Sequence, residues 1–243
     1  MPTSCEEYYR RLHGACGDVL GTSFPADTTG LQAASHSFVA DLDQWHGVLI
    51  GRPESALIKA SSNEYQFALL AVVQGQYRQA FMALRLSFEL VLGAVYLSAN
   101  EVELRFWLRG ERDLVWNTIM DSEAGVLAKR FVGAFYEDLV EEAPHYRAIG
   151  QAVYRECSEY VHGNALTHSE LDARIRFQQK VFEDWHARAR AIRLVSSFAM
   201  CARYVRFASA EARSQLEGVL LDNLGHIPAV RLILGAPVEL ENV

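Results

Sequence analysis

The chain is short of the residues that staple, anchor or specialise a protein. It holds only 4 Cys in 243 residues. Cys5, Cys16, Cys157 and Cys201 contain no CxxC pair, which excludes a zinc knuckle and a thioredoxin-like motif. Four cysteines in a chain this long form no disulfide scaffold, so free thiols and a cytoplasmic location are expected. Six Pro and 16 Gly exclude collagen-like and low-complexity designs. The first eleven residues are polar and of mixed charge, unlike a signal peptide. The longest apolar stretch, residues 80–97, contains Arg85 and Glu89, so it reads as a core helix and no membrane partner is expected. Positive charge is also scarce. The net charge is -7, which argues against a generally basic nucleic-acid-binding domain. Lysine appears only at positions 59, 129 and 180, the other basic residues being Arg, a bias we read as GC-rich codon usage.

Chemical signatures are missing as well. No Gly-rich loop follows a strand, which disfavours Rossmann and P-loop folds. There is no HExxH and no GxSxG, and the eight His are not spaced as metal ligands, so neither a metal nor a cofactor is expected. Sustained period-2 alternation is almost nowhere to be found.

What remains is half hydrophobic residues with helical spacing. Phe38, Leu42, Trp45 and Leu49 recur at three- and four-residue steps within a helix expected over 31–49. Gly51-Arg52-Pro53 stops it, and Glu54-Ser55 opens the next. Further helices are expected at 5–15, 54–73, 77–98, 101–108, 112–120, 123–141, 144–162, 169–207, 210–224 and 227–234. The segment 17–30 reads as a loop. The expected fold is all-α, an antiparallel helical bundle, with residues 1–53 as a helical extension and 54–243 as the main bundle.

The most informative segment is Tyr154-Arg155-Glu156-Cys157-Ser158-Glu159-Tyr160-Val161-His162-Gly163. Arg155 and His162 lie seven residues apart, nearly two helical turns, so they share a face with Glu159 between them. His162 falls in the last turn before Gly163, at the helix end that attracts positive charge. An Arg can hold a phosphate and stabilise charge on a pentacoordinate transition state. A His can move or orient the proton of an RNA 2′-hydroxyl. Such cleavage needs no metal.

In this segment the chain resembles the HEPN superfamily, whose signature is an Arg, four to six residues with a polar one first, then a His near a helix end. Arg155, Glu156 and His162 match with six intervening residues. The first of those is usually Asn, Asp or His, and Glu156 departs from that. The segments Tyr77-Arg78-Gln79-Ala80, Leu84-Arg85, Phe88-Glu89 and Tyr96-Leu97-Ser98 are similar to the preceding core helix of defence-associated members, which often end the motif helix in a YVHG, as at 160–163. The resemblance implies a bundle that dimerises. It also implies metal-independent endoribonuclease activity in toxin or anti-phage systems, with an RNA substrate and a partner protein from the same system. Arg155 and His162 would then be catalytic, with Glu156, Glu159 and Tyr160 supporting. Other members have lost catalysis and serve as dimerisation or binding modules. Glu156, and an acidic Glu159 between Arg and His, favour that alternative, because negative charge repels RNA. A third class is a small-molecule sensor with a pocket between helices.

Arg85 and Glu89 form a second group. They are four residues apart in an otherwise apolar helix, where unpaired charges are costly. They are expected to pair with each other, or to reach the helix of Arg155. Last, residues 172–207 carry seven Arg and one Lys against three acids, a local +5, with the Arg scattered around the helix axis. A solvated helix is the expectation there, with RNA contact as the alternative.

Overall fold

The computed structural model describes residues 4–25, 28–162, 165, 167, 171 and 174–237. Among them there is no strand, and the fold is all-α. The helices are α1 (Cys5–Thr22), α2 (Thr29–Val48), α3 (Ser55–Val73), α4 (Tyr77–Leu97), α5 (Glu101–Leu108), α6 (Trp116–Ile119), α7 (Lys129–Phe135), α8 (Ala143–Val161), α9 (Gln179–Tyr204), α10 (Ala210–Leu224) and α11 (Pro228–Leu234). Short 3-10 turns follow at Glu137–Leu139 and Val205–Phe207.

At the centre stands α4, packed by α3, α8 and α9. Its apolar residues Ala80, Phe81, Leu84, Phe88, Val91, Leu92 and Val95 are fully buried. It is long and apolar enough to cross a membrane, yet it serves as the core helix against which the others pack. The turn from α3 to α4 is made by Gly75, with φ +71°. A Cβ there would lie 3.2 Å from Val19 and 3.3 Å from the Arg176 carbonyl, so both the backbone angle and the close approach of α1 require glycine.

Several helix bounds differ from expectation, each for a local reason. α1 continues to Thr22, through part of the segment read as a loop, because Cys16 and Val19 bury one face while Gly17 and Gly21 face open space. Its start is set by Ser4, whose hydroxyl accepts from the Glu7 backbone N–H. The helices expected over 112–120 and 123–141 shrink to α6 and α7. Asp121 Oδ1 accepts the backbone N–H groups of Glu123 and Ala124 at 2.9 and 2.8 Å, offering the chain a turn in place of a helix. The boundary expected at 53/54 falls on the turn between α2 and α3. The core runs across it, since Phe38, Leu42 and Trp45 of α2 belong to the same buried cluster as α4 and α9.

The largest correction concerns the segment 169–207. Its helix begins at Gln179, while Ser169, expected to cap it, lies outside the described residues. α9 is not a solvated helix. Val181, Phe182, Trp185, Ala189, Ile192, Val195 and Phe198 line a buried face. Three of its Arg are spent internally. Arg193 donates to Asp41 at 2.6 Å, Arg188 lies 3.1 Å from Glu156, and Arg203 donates to the Ser98 hydroxyl and carbonyl at 2.8 and 2.9 Å. Counting charge along the sequence hid these pairs, because their partners lie on other helices.

Candidate functional site

The candidate site is the outer face of the last turns of α8. That helix opens with Pro144, tolerated in the first turn. It buries Tyr146, Val153, Cys157 and Tyr160. Residues at other angles must then face outward, and Arg155, Glu156 and His162 are exposed while Glu159 is partly covered. The helix reaches Val161, so Arg155 and His162 stand on one face about 10 Å apart along the axis. The expected glycine cap, Gly163, lies outside the described residues.

The end of α8 is held to α4 by two stacked aromatic pairs and a cation. Tyr160 lies on Phe81 with ring centroids 3.8 Å apart. Tyr154 lies on Trp116 at 3.6 Å, and Trp116 in turn meets Phe88 of α4. Arg78 Nη1 donates to the Tyr160 carbonyl at 2.6 Å. An Arg at that place brings a cation to the carbonyl end of the helix, where positive charge is favoured. Tyr160 is therefore buried and positions the helix, and its ring is not offered to a ligand. On the other side Thr167 donates to the Glu159 carbonyl at 3.1 Å.

Arg85 and Glu89 pair with each other, Nη2 to Oε1 at 3.0 Å. They also reach α8, but through Tyr154 rather than Arg155. The Tyr154 hydroxyl donates to Glu89 Oε1 at 2.6 Å and accepts from Arg85 Nη2. Burial, with the Glu89 carboxylate next, pushes the Tyr154 phenol up to about 12, so it stays a neutral donor. The cluster fixes the residue immediately before Arg155.

Among the described residues, no hydrogen bond or ion pair engages the side chain of Arg155 or His162. Among the described residues both are exposed and unengaged. Glu156 is different, since its carboxylate faces Arg188 of α9, which offsets part of the negative charge next to Arg155. Cys157 is buried, and burial pushes its thiol up to about 12, which leaves it a packing residue and no nucleophile. Among the described residues no three His, Cys, Asp or Glu side chains converge as metal ligands do.

Arg78 and Arg188 did not stand out from the sequence as parts of this site, because each acts on a helix remote in sequence. His186 was also missed. It is buried and its Nδ1 lies 2.7 Å from the Ser35 hydroxyl. The available signal was a His four residues after Phe182 on the apolar face of α9. Comparisons with family models, curated proteins and solved structures gave no match.

Proposed function

We propose that the protein is a HEPN-like, metal-independent endoribonuclease that acts as a homodimer. The observation that carries the proposal is the state of Arg155 and His162: same face, exposed, and unengaged among the described residues. A pair serving only to tie a helix end would be buried and saturated. Here that work is done by Arg78, Tyr154 and Tyr160, which leaves Arg155 and His162 over.

In the proposed reaction the RNA 2′-oxygen attacks the adjacent phosphorus while the bond to the 5′-oxygen breaks. The products are a 2′,3′-cyclic phosphate and a 5′-hydroxyl. Arg155 holds the phosphate oxygens as their charge rises. His162 takes the 2′-hydroxyl proton or orients it, and a proton returns to the departing 5′-oxygen. Side chains of a helix lean toward its N-terminus, so the roughly 10 Å rise between the two positions persists at their tips. A second copy placing its own motif helix alongside would bring an Arg and a His closer together. This geometry favours a composite site in a dimer. A role in toxin or anti-phage systems, in the cytoplasm and with a partner protein, rests on the resemblance.

A second reading is a non-catalytic HEPN-like module for dimerisation or partner binding. Glu156 favours it, since its carboxylate stays half exposed beside Arg155 despite Arg188. The deciding experiment is RNA cleavage by purified protein in excess EDTA. The wild type is expected to leave cyclic phosphate ends. His162→Ala is expected to lose about 10²–10⁴-fold in rate with unchanged helical circular dichroism. Cleavage that survives in His162→Ala would reject the mechanism, and a wild type inactive with and without its native partners would leave the module reading.

A further inference from the structure

The face that carries Arg155 and His162 continues toward the start of α8. Four residues make slightly more than one helical turn, so Arg147, Gln151 and Arg155 follow one another with only about 40° of drift. Tyr146, Val153, Cys157 and Tyr160 are buried on the opposite side. Gln151 and Arg155 are exposed, and Arg147 is partly covered. No acid of α8 stands on this stretch of the stripe. Glu156 is turned about 100° away from Arg155 and faces Arg188.

Towards the start of α8 the stripe borders a cleft of about 300 Å³ between α8 and residues 122–130. Arg147 and Gln151 line it from α8, and Lys129 and Arg130 line it from α7. Arg147 is anchored there, since its Nε donates to the Met120 carbonyl at 3.2 Å. Its Nη groups make no hydrogen bond among the described residues. Lys129 is answered by Glu141 at 2.7 Å. Arg130 is exposed, and among the described residues no hydrogen bond or ion pair engages it. Two acids stand near. Asp121 feels the charge of Arg147, and its Oδ1 is occupied by the backbone N–H groups of Glu123 and Ala124. Glu123 lines the cleft but is exposed. The cleft therefore offers one anchored Arg and one unengaged Arg to an anion. Arg147 lies about 12 Å from Arg155 along the helix axis. A stacked strand rises roughly 3.4 Å per nucleotide, so that distance spans about three to four nucleotides.

We propose that this cleft is a second phosphate-binding subsite for the RNA strand cleaved at Arg155 and His162. Arg130 and Arg147 hold a backbone phosphate a few nucleotides from the scissile one, and the Gln151 amide donates to the strand between them. The inference rests on the ribonuclease reading and adds to it a path for the strand, along α8 toward its first turn. Contacts to phosphate position a strand without reading its bases, so the subsite sets a minimum length and no sequence.

The test measures binding of fluorescent RNA of two and of eight nucleotides to the full chain, across salt concentrations. Both proteins compared carry His162→Ala, which keeps the RNA intact, and one also carries Arg130→Ala. Affinity should step up from the short RNA to the long one, which reaches the cleft. Arg130→Ala should shrink that step about fivefold at 0.1 M salt and lower the slope of log affinity against log salt by about 0.7, the worth of one phosphate contact on a single strand. Arg130→Lys keeps the charge and should restore the slope. An unaltered step and slope in Arg130→Ala, with RNA still cleaved by the wild type, would overturn the subsite alone. RNA that the chain neither binds nor cleaves would overturn the ribonuclease reading and the subsite together. An equal loss on both lengths would also overturn the subsite, by showing that Arg130 acts through the fold.

Discussion

Replacing Glu89 by Ala removes the acceptor around which α4 and α8 are joined. Glu89 Oε1 receives Arg85 Nη2 at 3.0 Å, Arg85 Nε at 3.2 Å and the Tyr154 hydroxyl at 2.6 Å. Hydrogen bonds to a charged group contribute roughly 1.5–3 kcal/mol each when buried. Glu89 is 23% exposed and Arg85 18%, so water recovers part of the loss. The Arg-before-Glu pair within one helix adds only about 0.3–0.5 kcal/mol. The Tyr154 bond therefore dominates, and the total comes to about 2–3 kcal/mol. In a chain of this length each kcal/mol moves the Tm by roughly 2–4 °C, so Glu89→Ala should melt about 4–12 °C lower. Calorimetry on wild type, Glu89→Ala, Tyr154→Phe and the double variant measures this. Tyr154→Phe keeps the ring stacked on Trp116, so it isolates the hydroxyl. The cycle should give a coupling of about 1–2 kcal/mol. A Tm within about 1 °C of wild type for Glu89→Ala, or strict additivity in the cycle, would refute the reasoning.

Other expected outcomes follow from single contacts. Arg78→Ala leaves the Tyr160 carbonyl without its cation, so amide exchange should quicken in the last turn of α8 while the middle of α4 keeps its protection. Uniform exchange would show that Arg78 does not hold the helix end. His186 titrates at about 4 when folded and near 6.5 when unfolded, so the unfolded chain binds the extra proton between those values. Its contribution is therefore complete above pH 6.5 and falls by about 3 kcal/mol as pH drops toward 4. Denaturant titrations at pH 7 and 4.5 should show this loss, and His186→Phe should flatten it. An equal loss in both proteins would place the acid sensitivity elsewhere. Gly150 lets α8 approach its neighbours, since a Cβ there would meet Met120 at 3.1 Å and Val195 at 3.3 Å. Gly150→Val should cost about 1–3 kcal/mol by overpacking, and an unchanged denaturation midpoint would contradict the close approach.

The helical character of the chain was legible in its sequence because burial needs only a periodic stripe. Phe38, Leu42 and Trp45 announce one at three- and four-residue steps, and all three are fully buried. The common face of Arg155 and His162 was legible for the same reason, since helical angle depends on sequence separation alone. Arg85 and Glu89 were recognisable as a pair because their partner is one turn away. Where side chains compete locally with the helix, as at Asp121, the stripe misled and two expected helices shrank.

Everything depending on which helix lies beside which was decided by the tertiary structure. The Arg of α9 look like a loose positive charge along the chain. In the fold Arg193 meets Asp41 and Arg188 meets Glu156, partners 152 and 32 residues away. Tyr160 belongs to the motif by sequence and to the core by packing, because Phe81 lies against its ring. His186 shows no motif at all. Only the approach of α2 to α9 gives its Nδ1 a partner and, among the described residues, leaves its Nε2 without one. Periodicity is a property of the chain, whereas the pairing of polar groups is a property of contacts between helices, and no spacing along one helix encodes it.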